Sequence, residues 1–146
     1  MKAVRIHEFG GPDVVRHEDV ADPVPPAGHV RIKVNACALN HVDIDIREGI
    51  SRFEISFPHI LGLEVVGEVD ELGDGVEDFK TGERVMPYLL GGDVFIGVAG
   101  PGGLAEYVIA PTKQLVRVPD QIDDRAAAAV QVAFGTSWHM LFGRGH

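Results

Sequence analysis

A chain of 146 residues, 45% hydrophobic and 24% charged, is long enough to bury one core of ordinary size and too short for two full domains. Twenty-two acidic against thirteen basic residues give a formal net charge of −9, the wrong sign for general attraction to phosphate backbones, which argues against nucleic acid as a partner. The uncharged stretch Val94 to Ala105 is glycine-rich rather than lipid-like, which argues against a membrane span.

The opening MKAVRIHEFG alternates and then turns charged, without the apolar core of a secretory signal. The single cysteine, Cys37, forms no internal disulfide and suits a reducing compartment, so a cytoplasmic location is expected. Lys2 to His7 reads as a strand, Gly10 to Pro12 as a turn and Val14 to Val20 as a second strand of an initial hairpin. Pro23, Pro25, Pro26 and Gly28 make a stiff break. Beyond it Val30, Ile32, Val34 and Ala36 alternate with Arg31, Lys33, Asn35 and Cys37 in the clearest strand of the chain.

Asn40 to Glu48, stopped by Gly49, reads as a short helix, with Asn40 as its cap and Asp43 as a first-turn acid favoured by the helix dipole. The following PHILGLEVVGEV reads as a strand with Leu61, Leu63, Val65 and Val69 on one face and Glu64, Val66 and Glu68 on the other. On that pattern Glu64 faces water. Gly62 and Gly67 bracket it, however, and glycine in a strand marks a bulge, a bend or close approach of another group, so both readings stand.

A turn-rich acidic loop leads to strands at Arg84 to Tyr88, Leu104 to Ile109 and Leu115 to Val118. From Asp123 the sequence DDRAAAAVQVAFGTSWHMLF starts acidic and continues through alanines and apolar residues at helical spacing, which predicts a helix. Many short strands with a C-terminal helix and no strand–helix alternation predict a mainly β fold, a small closed or folded-over barrel.

Six segments in order carry a family resemblance: MKAVRIHEFGGPDVV; ALNHVDIDIREG, of the form N-x-x-D-x-x-x-R-x-G; PHILGLEVVGEV, with G-x-E-x-x-G; TGERV, close to G-D-R-V; GGLAEYVIAP, matching G-G-x-A-E-Y-x-x-x-P; and AAAAVQVAFGTSWHML. Together they resemble the N-terminal, GroES-like catalytic domain of the medium-chain dehydrogenase/reductase superfamily, in its zinc-free quinone oxidoreductase branch. The resemblance implies a GroES-like catalytic domain over residues 1–122 and, over 123–146, a helix leading toward a coenzyme-binding Rossmann domain that this sequence does not contain. Where zinc-dependent members carry a ligand histidine this chain has Leu63, and where they carry a ligand cysteine it has Asn40. Val42 stands at the hydroxyl position, and Arg84 to Gly103 lacks the cysteines of a structural zinc. Leucine offers zinc no ligand atom, so no metal is expected. His41, His59, Asp43 and Glu64 are the residues from which an atypical metal site would have to be improvised. Outside such a site, His59 reads as a loop or packing residue, His139 as a helix-surface or interdomain one and Cys37 as core.

By resemblance, the activity is NADPH-dependent hydride transfer to a quinone or α,β-unsaturated carbonyl, in which hydrogen-bond donors steady the enolate. Asn40 would contact substrate or the nicotinamide region, Asp43 and Glu64 would hold the site's polar framework, and Thr136 would lie near the nicotinamide carboxamide. Asp45 stands where close relatives frequently carry tyrosine, which removes an aromatic stacking partner. NADPH would bind only with the coenzyme domain, and the full protein would be a possible homodimer. Alone the chain is expected to be inactive, since no strand–Gly-x-Gly-x-x-Gly–helix unit is present. A stand-alone GroES-like binding or assembly module is the other class of function considered. With the glycine bracketing, the resemblance favours a buried or partly buried Glu64 at the old metal-adjacent position, held by hydrogen bonds or a cation because an unpaired carboxylate would be expensive there; Arg47, one helical turn past Asp43, is a candidate partner.

Overall fold

The computed structural model describes residues 1–88 and 95–145. Strands β1 (Lys2–Ile6) and β2 (Val15–Asp19) form the expected antiparallel hairpin, and β4 (His59–Ile60) adds to the other edge of β1. The long strand β3 (His29–Ala38) lies at the heart of a five-stranded sheet ordered β7–β3–β5–β6–β8, with β5 at Glu64–Leu72, β6 at Arg84–Pro87, β7 at Tyr107–Pro111 and β8 at Leu115–Arg117. Helix α1 (His41–Glu48) links β3 to β4. The C-terminal helix runs through α2 (Asp124–Ala129), a π turn (Val130–Phe134), α3 (Gly135–Trp138) and a second π turn (His139–Gly143). No helix among the described residues is long and apolar enough to cross a membrane.

The two sheets fold onto one another at Leu104–Glu106. Read from sequence, this segment opens a strand; instead the ladder with β3 starts at Tyr107, because Leu104 O accepts from Val4 N and Glu106 N donates to Lys2 O, at 2.8 and 3.0 Å. These two bonds go to β1, while Glu106 O already accepts from Val34 N of β3 at 2.9 Å, so the chain changes sheet at this corner. The interior is filled by Val30, Ile32, Val65, Val69, Val85, Ile96 and Val108. A second cluster, Ile6, Ile46, Leu61, Leu63 and Val98, packs α1 against the smaller sheet, and a third, Val66, Val118, Ala127 and Ala128, seats α2 on the outer face of β5.

The strand expected across PHILGLEVVGEV is interrupted. Gly62 takes a φ of +98°, so Leu61 and Leu63 leave the ladder and join the α1 cluster, and β5 begins only at Glu64. Val65 and Val66 are both fully buried, one facing the barrel interior and the other facing α2. Simple alternation between core and solvent therefore fails on this strand, because helix and barrel each take a face. The expectation that Leu61 and Leu63 share the face of Val65 and Val69 fails because the bend at Gly62 takes both out of the strand.

Gly67 shows how close the two central strands run. A Cβ there would lie 2.0 Å from Lys33 O and 2.8 Å from Ile32 Cγ2, beside the register shift between Val34 and Ala36. Gly67→Ala is expected to destabilise the fold by at least ~2 kcal/mol, seen in urea unfolding as a lower midpoint with an unchanged slope.

Candidate functional site

Asn40 ends β3's run into α1 in an extended conformation, with φ −124° and ψ 167°, and so caps the helix. Three residues later Asp43 turns back and uses both carboxylate oxygens. Oδ2 accepts from Asn40 N at 2.8 Å and Oδ1 accepts from Gly62 N, also at 2.8 Å. Asp43 is only 3% exposed, so its first-turn position serves more than the helix dipole: it staples α1 to the bend that precedes β5. Gly62 has no room for a side chain, since a Cβ would sit 2.6 Å from Cys37 Sγ and 2.9 Å from Leu104 N.

Glu64 does not face water. It is 2% exposed; Oε2 accepts from Asn40 Nδ2 at 2.8 Å, and Oε1 accepts from the backbone N–H of Val132. The helix lies over this face of β5, and Gln131 Nε2 adds a bond to Val65 O at 3.1 Å. Val132 lies inside the first π turn, the kind of local widening that frees backbone groups for outside partners. Val132 was not legible as a site residue, because its donor is a main-chain amide that carries no residue-type signature; Gln131 donates from its side chain but to a backbone carbonyl, which marks no position in the sequence.

The expected Arg47–Glu64 pair is not formed. Arg47 Nη2 pairs with Glu48 instead, because the helix carries residue 47 about two turns away from the Asn40 end where Glu64 lies. Arg47 does line the open cleft beside α1, about 530 Å³ in volume, together with Asn40, Leu39, Ile44, Leu61 and Leu104. One polar wall and several apolar ones suit a small, largely apolar ligand.

The other flagged residues bond elsewhere, although His41 lines the same cleft. His41 is exposed, with Nδ1 3.2 Å from Asp45 Oδ1, whereas His59 is buried with Nε2 2.9 Å from Gly97 O, a packing role. Among the described residues no three His, Cys, Asp or Glu side chains gather as a metal-binding group. Thr136 is exposed on α3, and His139 is exposed on the following turn. In the glycine-rich run, Gly102 N, Gly103 N and Leu104 N donate to Ile60 O, Gly62 O and Leu61 O at 2.8 to 2.9 Å. Those amides are spent on backbone and form no phosphate cradle. Residues 89–94 of the segment searched for structural-zinc cysteines lie outside the described residues.

The profile of the alcohol dehydrogenase GroES-like domain matches residues 26–120. The chain belongs to that family. This GroES-like domain is 37% identical over 142 residues, 97% of its length, to a quinone oxidoreductase of Lama guanicoe, of which it covers 40%. Among solved structures it superposes with a TM-score of 0.91 and 32% identity on an NAD-dependent alcohol dehydrogenase, covering 99% of this chain and 47% of that one. A mycobacterial protein complexed with NADPH matches at a TM-score of 0.80 and 31% identity, over 97% of this chain and 41% of that one. The chain thus spans about 40% of the length of the curated relatives it matches. The fold is that of the medium-chain dehydrogenase/reductase catalytic domain, and the relatives are oxidoreductases.

Burial raises the Asp43 carboxyl above its ordinary range; the amides of Asn40 and Gly62 oppose this and the nearby Glu64 reinforces it. Burial likewise pushes the Cys37 thiol of the GroES-like domain up to about 12, helped by Asp43 and Glu64, which leaves it a poor nucleophile at neutral pH. A raised carboxyl means the folded state holds the Asp43 proton more tightly than the unfolded chain. Its contribution to stability is therefore greatest below the ordinary value of 3.8 and falls as pH climbs through the folded value. The melting temperature of the natural chain relative to Asp43→Asn is expected to decline as pH rises from 3.8 toward neutrality, measured by thermal denaturation across that range.

Proposed function

We propose that this chain is the substrate-side domain of an NAD(P)H-dependent oxidoreductase that passes hydride to the polarised C=C bond of a quinone or enone without zinc. The observation that carries this reading is the donor set around Glu64. Leu63, where a ligand histidine would stand, is 5% exposed and packs with Ile6, Ile46 and Leu61. Asn40, where a ligand thiolate would stand, donates to Glu64, and both Glu64 oxygens already accept N–H groups. Leucine and an amide N–H offer a zinc ion nothing to bind, so this arrangement does not fit the metal.

The nicotinamide, when bound, supplies the hydride. What this chain adds is position and polarity. Asn40 stands in the cleft wall to contact substrate or the nicotinamide region, with Asp43 holding its backbone and Glu64 its side chain. Leu39, Leu61 and Leu104 give the cleft an apolar wall beside the reacting carbons. Thr136 is assigned to the neighbourhood of the nicotinamide carboxamide. The glycine-rich run does not fit a dinucleotide, so residues 1–122 form the substrate side and 123–146 lead toward a separate coenzyme-binding domain. Phe134, Trp138, Leu141 and Phe142 support this, since at 62–67% exposure they offer an apolar face that a neighbouring domain would cover. They count against a stand-alone binding module. NADPH as the coenzyme, a cytoplasmic setting and homodimerisation belong to the same reading.

Calorimetry should detect no NADPH binding by this 146-residue chain and clear binding once these residues are joined to a coenzyme-binding domain. The joined protein should reduce a quinone at a rate unchanged by chelators, and Asn40→Ala should lower kcat/KM by about 10²-fold. NADPH binding by the short chain, or loss of turnover on chelation, would overturn the reading.

A further inference from the structure

We infer that Glu64 is a positioning residue that couples the terminal helix to the cleft, so that the side chain of Asn40 and the backbone at Val132 move as one unit. Its relevance to turnover rests on the oxidoreductase reading; the coupling itself does not. Asn40 is held twice, by different groups. Asp43 takes its backbone N–H, whereas Glu64 takes its side-chain Nδ2, so the helix cap and the carboxamide orientation have separate supports. On its other oxygen Glu64 takes the Val132 N–H, and no alternative acceptor within the helix is required of a residue in a π turn. One carboxylate thus joins a cleft residue to a main-chain group 68 positions from itself in sequence.

The rest of the helix makes this junction the point through which motion passes. Its start is fixed to the barrel, where Asp124 receives Arg84 Nη2 at 2.6 Å and Asn35 Nδ2 at 3.1 Å. Past Val132 the side chains Phe134, Trp138, Met140 and Leu141 are 63–67% exposed. A helix anchored at its first turn and free beyond its middle pivots where its last barrel bonds lie, at Gln131 and Val132. Whatever covers the distal apolar face therefore acts on Val132 first, and through Glu64 on the group that Asn40 presents to the cleft. A carboxylate suits this, because the two N–H donors sit at different oxygens, and glutamine would turn an NH2 donor toward one of them.

The test is amide hydrogen exchange followed by NMR on the 146-residue chain, without coenzyme or turnover, so that it can fail while the oxidoreductase reading stands, and the reverse. Asn40→Ala removes one donor, releases that end of the carboxylate toward the cleft, and is expected to speed exchange at Val132 by about five-fold, leaving Val69 and Val108 unchanged. Glu64→Asp, too short to reach both donors, should abolish the coupling, so adding Asn40→Ala to it gives no further change at Val132. Unchanged exchange at Val132 in Asn40→Ala, uniform acceleration at all amides, or a full Asn40→Ala effect surviving in the Glu64→Asp background would each overturn the inference. If Glu64→Asp fails to fold, the single Asn40→Ala comparison decides.

Discussion

A buried carboxylate must find hydrogen-bond donors or give up its charge, and the arrangement of this domain around residues 40, 62, 64 and 132 follows from that requirement. Glu64 sits on a strand covered on both faces, where leaving a buried polar group without its hydrogen-bond partner typically costs ~1–3 kcal/mol. It is satisfied by donors from two distant segments, the residue that caps α1 and an amide of the terminal helix. Asp43 does the same one bend away, joining the cap of α1 to Gly62. These acids locate α1 and the C-terminal helix relative to the barrel, and with them the cleft wall.

Close backbone approach is the second constraint. Gly62, Gly102 and Gly103 let the segment before β7 lie against the bend at residues 61–63, with main-chain bonds in place of side-chain packing. That contact brings Leu104 and Leu61 to the same cleft. It also explains why a run that looks glycine-rich enough for a phosphate loop has no free amides. The glycines serve chain against chain, and the polar capacity of the loop is consumed in folding the two sheets together.

The chemistry that such a site supports follows from what it lacks as donor atoms and what it holds in place. On the proposed reading, a leucine in an apolar cluster and an asparagine bonded to glutamate stand where metal ligands would, and they leave an ordered amide facing a largely apolar cleft. Ordered amides act by position and partial charge, which is the help that the proposed reduction of a polarised C=C bond would need. The domain's likeness to quinone oxidoreductases and to alcohol dehydrogenases alike reflects one scaffold on which side chains at a few positions decide the chemistry.

Much of this was legible in the sequence. Alternation in β3, the cap–acid–glycine pattern of α1, the acidic start of the terminal helix and the mainly β order of elements all depend on local chemistry, which short windows of residues record. The family motifs likewise placed Asn40, Asp43 and Glu64 among the residues to watch. Strand periodicity alone left Glu64 divided between water and the interior, because it records two faces without saying what covers each; the bracketing glycines and the family resemblance favoured a buried glutamate, as found, but offered Arg47 as its partner. Tertiary structure decided that point. It laid the helix over β5, turned Val132 N–H toward the carboxylate and sent Arg47 to Glu48, and it did so through backbone donors and long-range packing, neither of which any residue type announces.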